Sequence, residues 1–450
     1  MNNIITETIE KLKSHFEHFF KNDDKTITDV ENYFSTILHE ATLTLTAAYY
    51  EKKDLELLQN KQLRKQKRLI VERRNDKRAV LTSLGLLEYR RTYYAKTGTD
   101  DNGYVYPTDE IAGINSQQRI SNTMSEKLVN YAVMESYQKA TDHVSNGFIS
   151  KQTVMNKIRS STPKHDVPLM KRNVPILHVD ADEDHVALQT GKSTILPLIS
   201  VYEGIVKSGK RSICKNVFHI SEMVKDADEL WENVLSRIEE IYDLKDTKIY
   251  LHGDGASWIK TGMEWLPNCQ YCLDRYHANK YLKQTTSGMK KEECNFFQDA
   301  LKTAIKSGER EEIHAIQGEM IYRHPECEKN ILYTTEYLYN NFDGMYIYEI
   351  DKESLNGGAT EPHVSHILSS RLSSRPMGWS IKTLQKLSPI LATKSFIFGK
   401  EEKPQQKEII IRKKKKIKHA MGFADPDNSF SMACNGKRTG TFKALAPYFK

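Results

Sequence analysis

Val174-Pro175-Ile176-Leu177-His178-Val179-Asp180-Ala181-Asp182-Glu183-Asp184-His185 opens the stretch on which the fold turns. Apolar residues alternate with His178 and Asp180 over 174–181, the period-two pattern of a half-buried strand. Residues 185–189 read as a second strand and 194–206 as a third, strongly apolar one. A helix is expected over 227–242, with Leu230, Val234, Leu235, Ile238 and Ile241 on one face. A strand over 248–252, a short helix around Trp258, a strand over 269–273 and a helix from Tyr276 complete the series.

Three meandering strands followed by alternating helices and strands is the order of the ribonuclease H-like α/β fold. The chain around it reads as multidomain α+β. Residues 1–78 read as a helical region in which Leu12, Phe16, Phe19 and Phe20 recur at helical spacing. A small β segment is expected over 79–120, with turns at Leu84-Gly85 and Asn102-Gly103. Within 121–165, a helix over 137–144, the turn Ser145-Asn146-Gly147-Phe148-Ile149 and a helix capped by Ser150 have the shape of a helix-turn-helix. An ordinary αα-hairpin has the same pattern. Lys151, Gln152, Thr153, Asn156 and Lys157 would give the second helix a polar, base-reading face. The catalytic core is placed at 166–385, with a Lys- and Glu-rich helical block over 281–341 and a short strand over 345–350. A basic region is placed at 386–450.

Composition narrows the class. Six scattered Cys in 450 residues cannot form a disulfide framework and suit a reducing cytoplasm. Glu7 and Glu10 interrupt the apolar residues of the amino terminus, which is wrong for a signal peptide, and no run of about 18 apolar residues suggests a membrane span. The net charge is +7, and its placement says more than its size. Arg64, Lys65, Lys67 and Arg68 lie in one basic run, and Arg412-Lys413-Lys414-Lys415-Lys416 form another. Such runs are often solvated faces or tails; two of them in one chain point to a polyanionic partner.

Acidic residues at the ends of apolar stretches are the chemically informative feature. Asp182 lies where the first strand runs out of apolar residues. Asp254 ends Ile249-Tyr250-Leu251-His252-Gly253-Asp254-Gly255, with small neighbours of the kind needed where a ligand approaches backbone. Glu361 follows Asn356-Gly357-Gly358, with Thr360 as a helix cap, although capping alone also favours a carboxylate there. Mg²⁺ takes hard oxygen ligands and leaves positions for phosphate and water, and paired ions promote phosphodiester cleavage. A calcium loop starting at Asp180 fails, because its sixth position is His185 where Gly is required. Cys269-Gln270-Tyr271-Cys272 lacks a second Cys pair and reads as core rather than zinc site.

Three motifs then become recognisable: Ala181-Asp182-Glu183-Asp184-His185-Val186, His252-Gly253-Asp254-Gly255-Ala256-Ser257-Trp258, and Ala359-Thr360-Glu361-Pro362-His363-Val364-Ser365-His366, continuing through Arg371 to Arg375-Pro376-Met377-Gly378-Trp379. In this order they resemble the ISLre-type insertion-sequence transposases, Mutator-like DDE enzymes formerly carried as an uncharacterised protein family. The resemblance runs over nearly the whole chain. It implies a ribonuclease H-like core with an all-helical insertion, and Asp182, Asp254 and Glu361 as the catalytic, metal-binding triad for Mg²⁺ or Mn²⁺. Asp180, two residues away on the same strand face, competes with Asp182 for the first place. That group often carries an acidic residue or Cys three positions before a His, which Asp274 and His277 match as auxiliary residues. A structural His-Asp pair would look the same.

What the resemblance implies is a bacterial-type transposase that hydrolyses phosphodiesters at element ends and joins the freed strands to target DNA. It would act in the cytoplasm on the chromosome as a homo-oligomer bound to terminal inverted repeats, holding DNA through the helix-turn-helix, the basic run and Arg371. A nuclease on the same core without strand transfer, and a non-catalytic helix-turn-helix DNA-binding protein, are the alternative expectations.

Overall fold

The computed structural model describes residues 2–21, 25–98, 103–209 and 211–398, without the side chain of Glu361. The second basic run and the last fifty-odd residues of the 386–450 region lie outside them. The chain divides into two compact units, residues 1–157 and 158–450. It is a mixed α/β protein with several small sheets.

The first unit begins with α1 (Asn2–Phe19) and the long α2 (Ile27–Gln59), whose start is fixed by a capping box between Thr26 and Asp29. The helical expectation for 1–78 ends early: β1 spans Leu69–Thr82 and pairs with β2 (Gly85–Lys96). The charged residues 72–78 hide the strand because they show no alternation. Cross-strand pairing to β2 holds them, with register shifts at Arg73 and Asp76 and a left-handed Asn75 (φ 59°). The turn at Leu84-Gly85 is as expected, with Gly85 at φ 133°, whereas Asn102 lies outside the described residues. Buried Asp54 of α2 receives the Thr92 amide (2.9 Å), the Thr92 hydroxyl (2.6 Å) and the Thr108 hydroxyl (2.7 Å), tying helix to hairpin. A buried carboxylate so surrounded is stabilising because each lone pair finds a donor.

Three short helices close this unit's sequence: α3 (Asn122–Met134), α4 (Tyr137–Ser145) and α5 (Lys151–Ser160). Ser121 and Ser136 cap the first two. Asn146 (φ 49°) and Gly147 (φ 78°) make the tight turn after α4, and Ser150 Oγ accepts from the Thr153 amide at 3.2 Å. Leu128, Val129, Ala132, Ala140 and Val154 are fully buried.

The second unit is built on a five-stranded sheet. Its strands are β3 (Ile176–Ala187), β4 (Ser193–Tyr202), β5 (Phe218–Ile220), β6 (Lys248–Gly253) and β7 (Cys269–Leu273), in spatial order β5-β4-β3-β6-β7. The first three run antiparallel; β3, β6 and β7 are mutually parallel. Two expected strands, 174–181 and 185–189, are one: β3 pairs with β4 without a break from His178 to Ala187. Its carboxylates recur every second residue and so share one face, leaving the pleat intact. The expected third strand instead ends at Tyr202, and Ile205–Ser208 pairs separately with Arg211–Cys214.

One face of the sheet packs on α6 (Ala227–Ile241), where Leu177, Val179, Ala181, Ile249 and Leu251 meet Leu230, Trp231, Val234 and Ile238. After β7 come α7 (Arg275–Thr285), α8 (Lys291–Ser307), α9 (Glu312–Arg323), α10 (Glu328–Asn340) and α11 (Phe342–Ile350). They bury a second core around Phe297, Leu301, Ile313, Met320, Ile331 and Leu338. The strand expected at 345–350 is part of α11. Buried Phe342, Met345 and Tyr348 follow the three-residue step of a helix face, which a short apolar run conceals. A short helix α12 (Thr360–Val364) returns to the sheet, and α13 (Ile381–Thr393) carries ordered structure past residue 385.

Candidate functional site

The face of β3 turned away from α6 carries His178, Asp180, Asp182 and Asp184. Asp180 is paired in register with His252 of β6, so Asp182 is level with Asp254, the residue just beyond that strand. Gly253 is in turn paired with Leu273, which puts Asp254 level with Asp274. Parallel pairing thus sets Asp182, within β3, level with Asp254 and Asp274, which directly follow β6 and β7. Gly253 permits this approach, since a Cβ there would lie 2.7 Å from Ile259 and 3.1 Å from the Ala181 carbonyl oxygen. Gly255 turns the chain away at φ 95°.

The acids differ in their surroundings. Asp182 and Asp254 are half-buried, accepting the amides of Glu183 (2.8 Å) and Ala256 (2.9 Å). Asp180 is buried and receives the Tyr202 hydroxyl at 2.9 and 3.0 Å and the Ala359 amide at 2.7 Å. Burial pushes it up to about 7 despite these donors. The Tyr202 hydroxyl also accepts the Gly358 amide at 2.9 Å. Asp180 therefore anchors the segment entering α12, and its oxygens face protein donors. Asp184 accepts from Ser373 Oγ at 2.8 Å. The backbone of Glu361 lies in the first turn of α12, just beyond this anchor.

Asp274 caps α7, taking the His277 amide at 3.2 Å and facing His277 Nδ1 at 3.0 Å. That bond raises the imidazole above its ordinary value, with further help from the charges of Asp254, Asp274 and Asp182. An open cleft of about 460 Å³ lies alongside, between the start of α7 and the segment 358–362.

Sequence reasoning missed two features. Glu183 points from the opposite side of β3 to the Trp258 indole (2.8 Å), and burial, then the charge of Asp254, pushes it up to about 7. Its signal was its place beside Asp182 in a strand. The second is a buried histidine group. His178 Nδ1 lies 3.1 Å from His252 Nε2, His219 Nδ1 2.8 Å from Ser200 Oγ, and His363 Nε2 3.6 Å from Cys214 Sγ. Burial holds His178 and His363 at about 4 and His219 at about 3, and drives His252 well below its ordinary value. The signal for His178, His219 and His252 was a His within an otherwise apolar strand; His363, in the helix α12, gave none.

These shifts set an acid-stability prediction. Below pH 6.5 the unfolded chain protonates four histidines that the folded protein keeps neutral, which removes stability as pH falls. Asp180 and Glu183 act oppositely, staying protonated in the fold while ionised in the unfolded chain. Asp184, Glu222 and His277, raised in the fold by smaller amounts, act with these acids and reduce the net effect without reversing it. Unfolding then takes up protons between about pH 4.5 and 6. Thermal melts should fall across that range; a melting temperature that climbs on acidification would refute the account.

The basic candidates separate. Lys151, Gln152 and Asn156 are exposed on α5, with the Gln152 amide donating to Asn156 Oδ1 at 3.2 Å, while Thr153 and Lys157 are half-buried. Lys65, Lys67 and Arg68 are exposed, Arg64 is half-buried, and Arg68 donates to the Gly98 carbonyl. Arg78 of the same run is buried, donating to the carbonyls of Asn115 and Ser116. Arg371 leaves the set of phosphate contacts: it is 4% exposed, with its guanidinium 4.8 Å from the Trp379 ring centre. Cys272 is buried and Cys269 half-buried on β7, and burial pushes the Cys269 thiol up to about 12, as befits core residues.

The described donors at the sheet edge are oxygens, which suit Mg²⁺ or Mn²⁺ rather than zinc. Among the described residues no three His, Cys, Asp or Glu side chains converge closely enough to hold a metal.

Residues 22–404 match the uncharacterised protein family UPF0236. The chain belongs to that family. A UPF0236 protein of Caldanaerobacter subterraneus subsp. tengcongensis is 37% identical over 333 residues, 73% of this chain and 69% of its own, and its name joins eleven gene loci. A second UPF0236 protein from the same organism, named for four loci, is 35% identical over the same shares. Among solved structures, a chain of the simian T-cell lymphotropic virus intasome in complex with PP2A regulatory subunit B56 gamma is 12% identical over 43% of this chain and 63% of its own. Its TM-score of 0.15 carries no argument. No described helix of this UPF0236 protein is long and apolar enough to cross a membrane.

Proposed function

We propose that this UPF0236 protein is a DNA transposase whose second unit is a ribonuclease H-like DDE core. The observation that carries the reading is the placement of Asp182 and Asp254: half-exposed, level with each other, on adjacent parallel strands, with Asp180 anchoring the segment that leads to Glu361. The eleven loci of one relative favour it too, since a self-moving gene leaves copies.

On this reading Asp182, Asp254 and Glu361 hold Mg²⁺ or Mn²⁺. A divalent cation bound there supplies charge neutralisation and polarisation at the scissile phosphate. His277, whose protonated form the Asp274 bond favours, steadies a phosphate oxygen. Asp180 and Tyr202 fix the backbone of the segment that leads to Glu361, and in-line displacement depends on such fixed positions. In the first unit, α4 and α5 act as a helix-turn-helix, with Lys151, Gln152 and Asn156 toward base edges and Lys65, Lys67 and Arg68 toward phosphates. The active form is a homo-oligomer on paired element ends.

The test is to incubate the full chain with Mg²⁺, the DNA flanking its own gene and a target plasmid. Cleavage at the element ends with their joining to plasmid is the expected result. Cleavage without joining would mean the nuclease alternative, and binding without cleavage the non-catalytic one.

A further inference from the structure

The open cleft beside the acidic edge has an unusual lining. Asp274, Arg275 and Tyr276 form one wall, and Gly358, Thr360 and Pro362 the other. Tyr276 leaves 58% of its surface exposed in the first turn of α7, edge-on to the His277 ring at 5.3 Å. An aromatic ring so exposed gives up burial that a neighbouring position could supply, and it offers a flat face to anything entering the cleft. Pro362 is exposed on the facing wall, and Arg275 is exposed next to the ring. Thr360 is the second sign. It lines the cleft yet is only 4% exposed, and its hydroxyl has no hydrogen-bond partner among the described residues. Buried hydroxyls are ordinarily paired, so an orphan one at a cleft wall marks a place for a polar group from outside.

We infer that this cleft is a subsite for a single unpaired nucleotide of the DNA strand being processed, with its base stacked on Tyr276 and its sugar-phosphate meeting the Thr360 hydroxyl. The inference rests on the transposase reading for the identity of the strand. The base must be unpaired because a face free to stack on Tyr276 is one drawn out of the duplex stack. An aromatic face accepts any base, so the subsite positions the strand without reading its sequence. His277, the residue after Tyr276, lies in the field of Asp254 and Asp182, so a nucleotide seated here holds its neighbouring phosphate at the acidic edge.

The experiment measures fluorescence anisotropy of the full chain with a single-stranded hexanucleotide and with the same backbone carrying abasic sites. The wild type should prefer the base-bearing strand. Tyr276→Ala should weaken that strand roughly tenfold and leave the abasic one unchanged, and Tyr276→Phe should restore the preference. Thr360→Val should weaken both strands by roughly threefold. Equal binding of the two strands by the wild type, or a Tyr276→Ala loss shared by both, overturns the subsite. Joining of element ends is read in its own assay. A protein that joins ends without a Tyr276-dependent preference sinks only the subsite, and one with that preference that never joins ends sinks only the transposase reading.

Discussion

Asp254→Asn and Asp182→Asn should each reduce strand cleavage at element ends by at least a thousandfold while DNA binding stays within about twofold. The asymmetry follows from geometry. Each carboxylate is half-buried, Asp254 just past β6 and Asp182 within β3, and accepts one backbone amide nearby, from Ala256 and Glu183 respectively. An amide side chain keeps a carbonyl oxygen for that bond, so the fold loses little. What it loses is the negative charge that a hard cation requires of its ligands. Neither residue lies on α5 or in the basic run, so the proposed phosphate contacts persist. Asp180→Asn is the informative companion. Because Asp180 is buried against Tyr202 and the Ala359 amide, a neutral carboxamide can keep one acceptor there, and activity should fall much less than in the other two. Gel-shift and cleavage assays on the three variants check this. Full activity in Asp182→Asn with none in Asp180→Asn would exchange their roles.

The second large effect concerns Gly357→Ala. A Cβ at this position would lie 2.3 Å from His178 Nδ1 and 2.4 Å from His252 Nε2, both in buried rings held between strands. Neither ring can swing aside. His178 stacks on Tyr202 and Tyr250 with centroids 5.6 and 5.4 Å away, and His252 lies near Tyr348. The segment 357–359 must lift, breaking the amide bonds from Gly358 to Tyr202 and from Ala359 to Asp180. Overpacking with loss of buried hydrogen bonds should cost about 3 kcal/mol, lowering the melting temperature by roughly 10 °C. Activity should suffer further, because the displaced segment carries Glu361. The neighbouring Gly358→Ala is a useful control, since its Cβ meets nothing nearer than 3.7 Å and only its φ of 87° opposes the change. A melt unchanged in Gly357→Ala would show that the packing there is loose.

Local pattern made much of the sheet legible. Strand β6 and the acid that ends it stand out because an apolar run stops at a carboxylate flanked by glycines, and β7 and α6 are equally plain. What local pattern could not supply was pairing. Only the register of β3 with β6 sets Asp182, not Asp180, level with Asp254, and only contacts from residues 202 and 359 show what Asp180 does. The charged half of β1 failed for a related reason: its alternation is absent, and a partner strand holds it. Arg371 shows the limit for surface assignments, since an arginine between Ser370 and Leu372 gives no sign that an indole covers it.

The anchor at Asp180 has a temporal side. Its backbone donor, the Ala359 amide, leaves the ribosome long after the acids it serves. At roughly 5–20 residues per second, about a hundred residues separate the emergence of Asp254 from that of Ala359, a delay of roughly 5–20 s. The helices α7 to α11 fill that interval with a core of their own. During it the nascent chain presents two carboxylates and no third. On the proposed reading, a protein that cuts the chromosome coding for it stays harmless until Glu361 has been made, and a copy terminated before that residue is born inert.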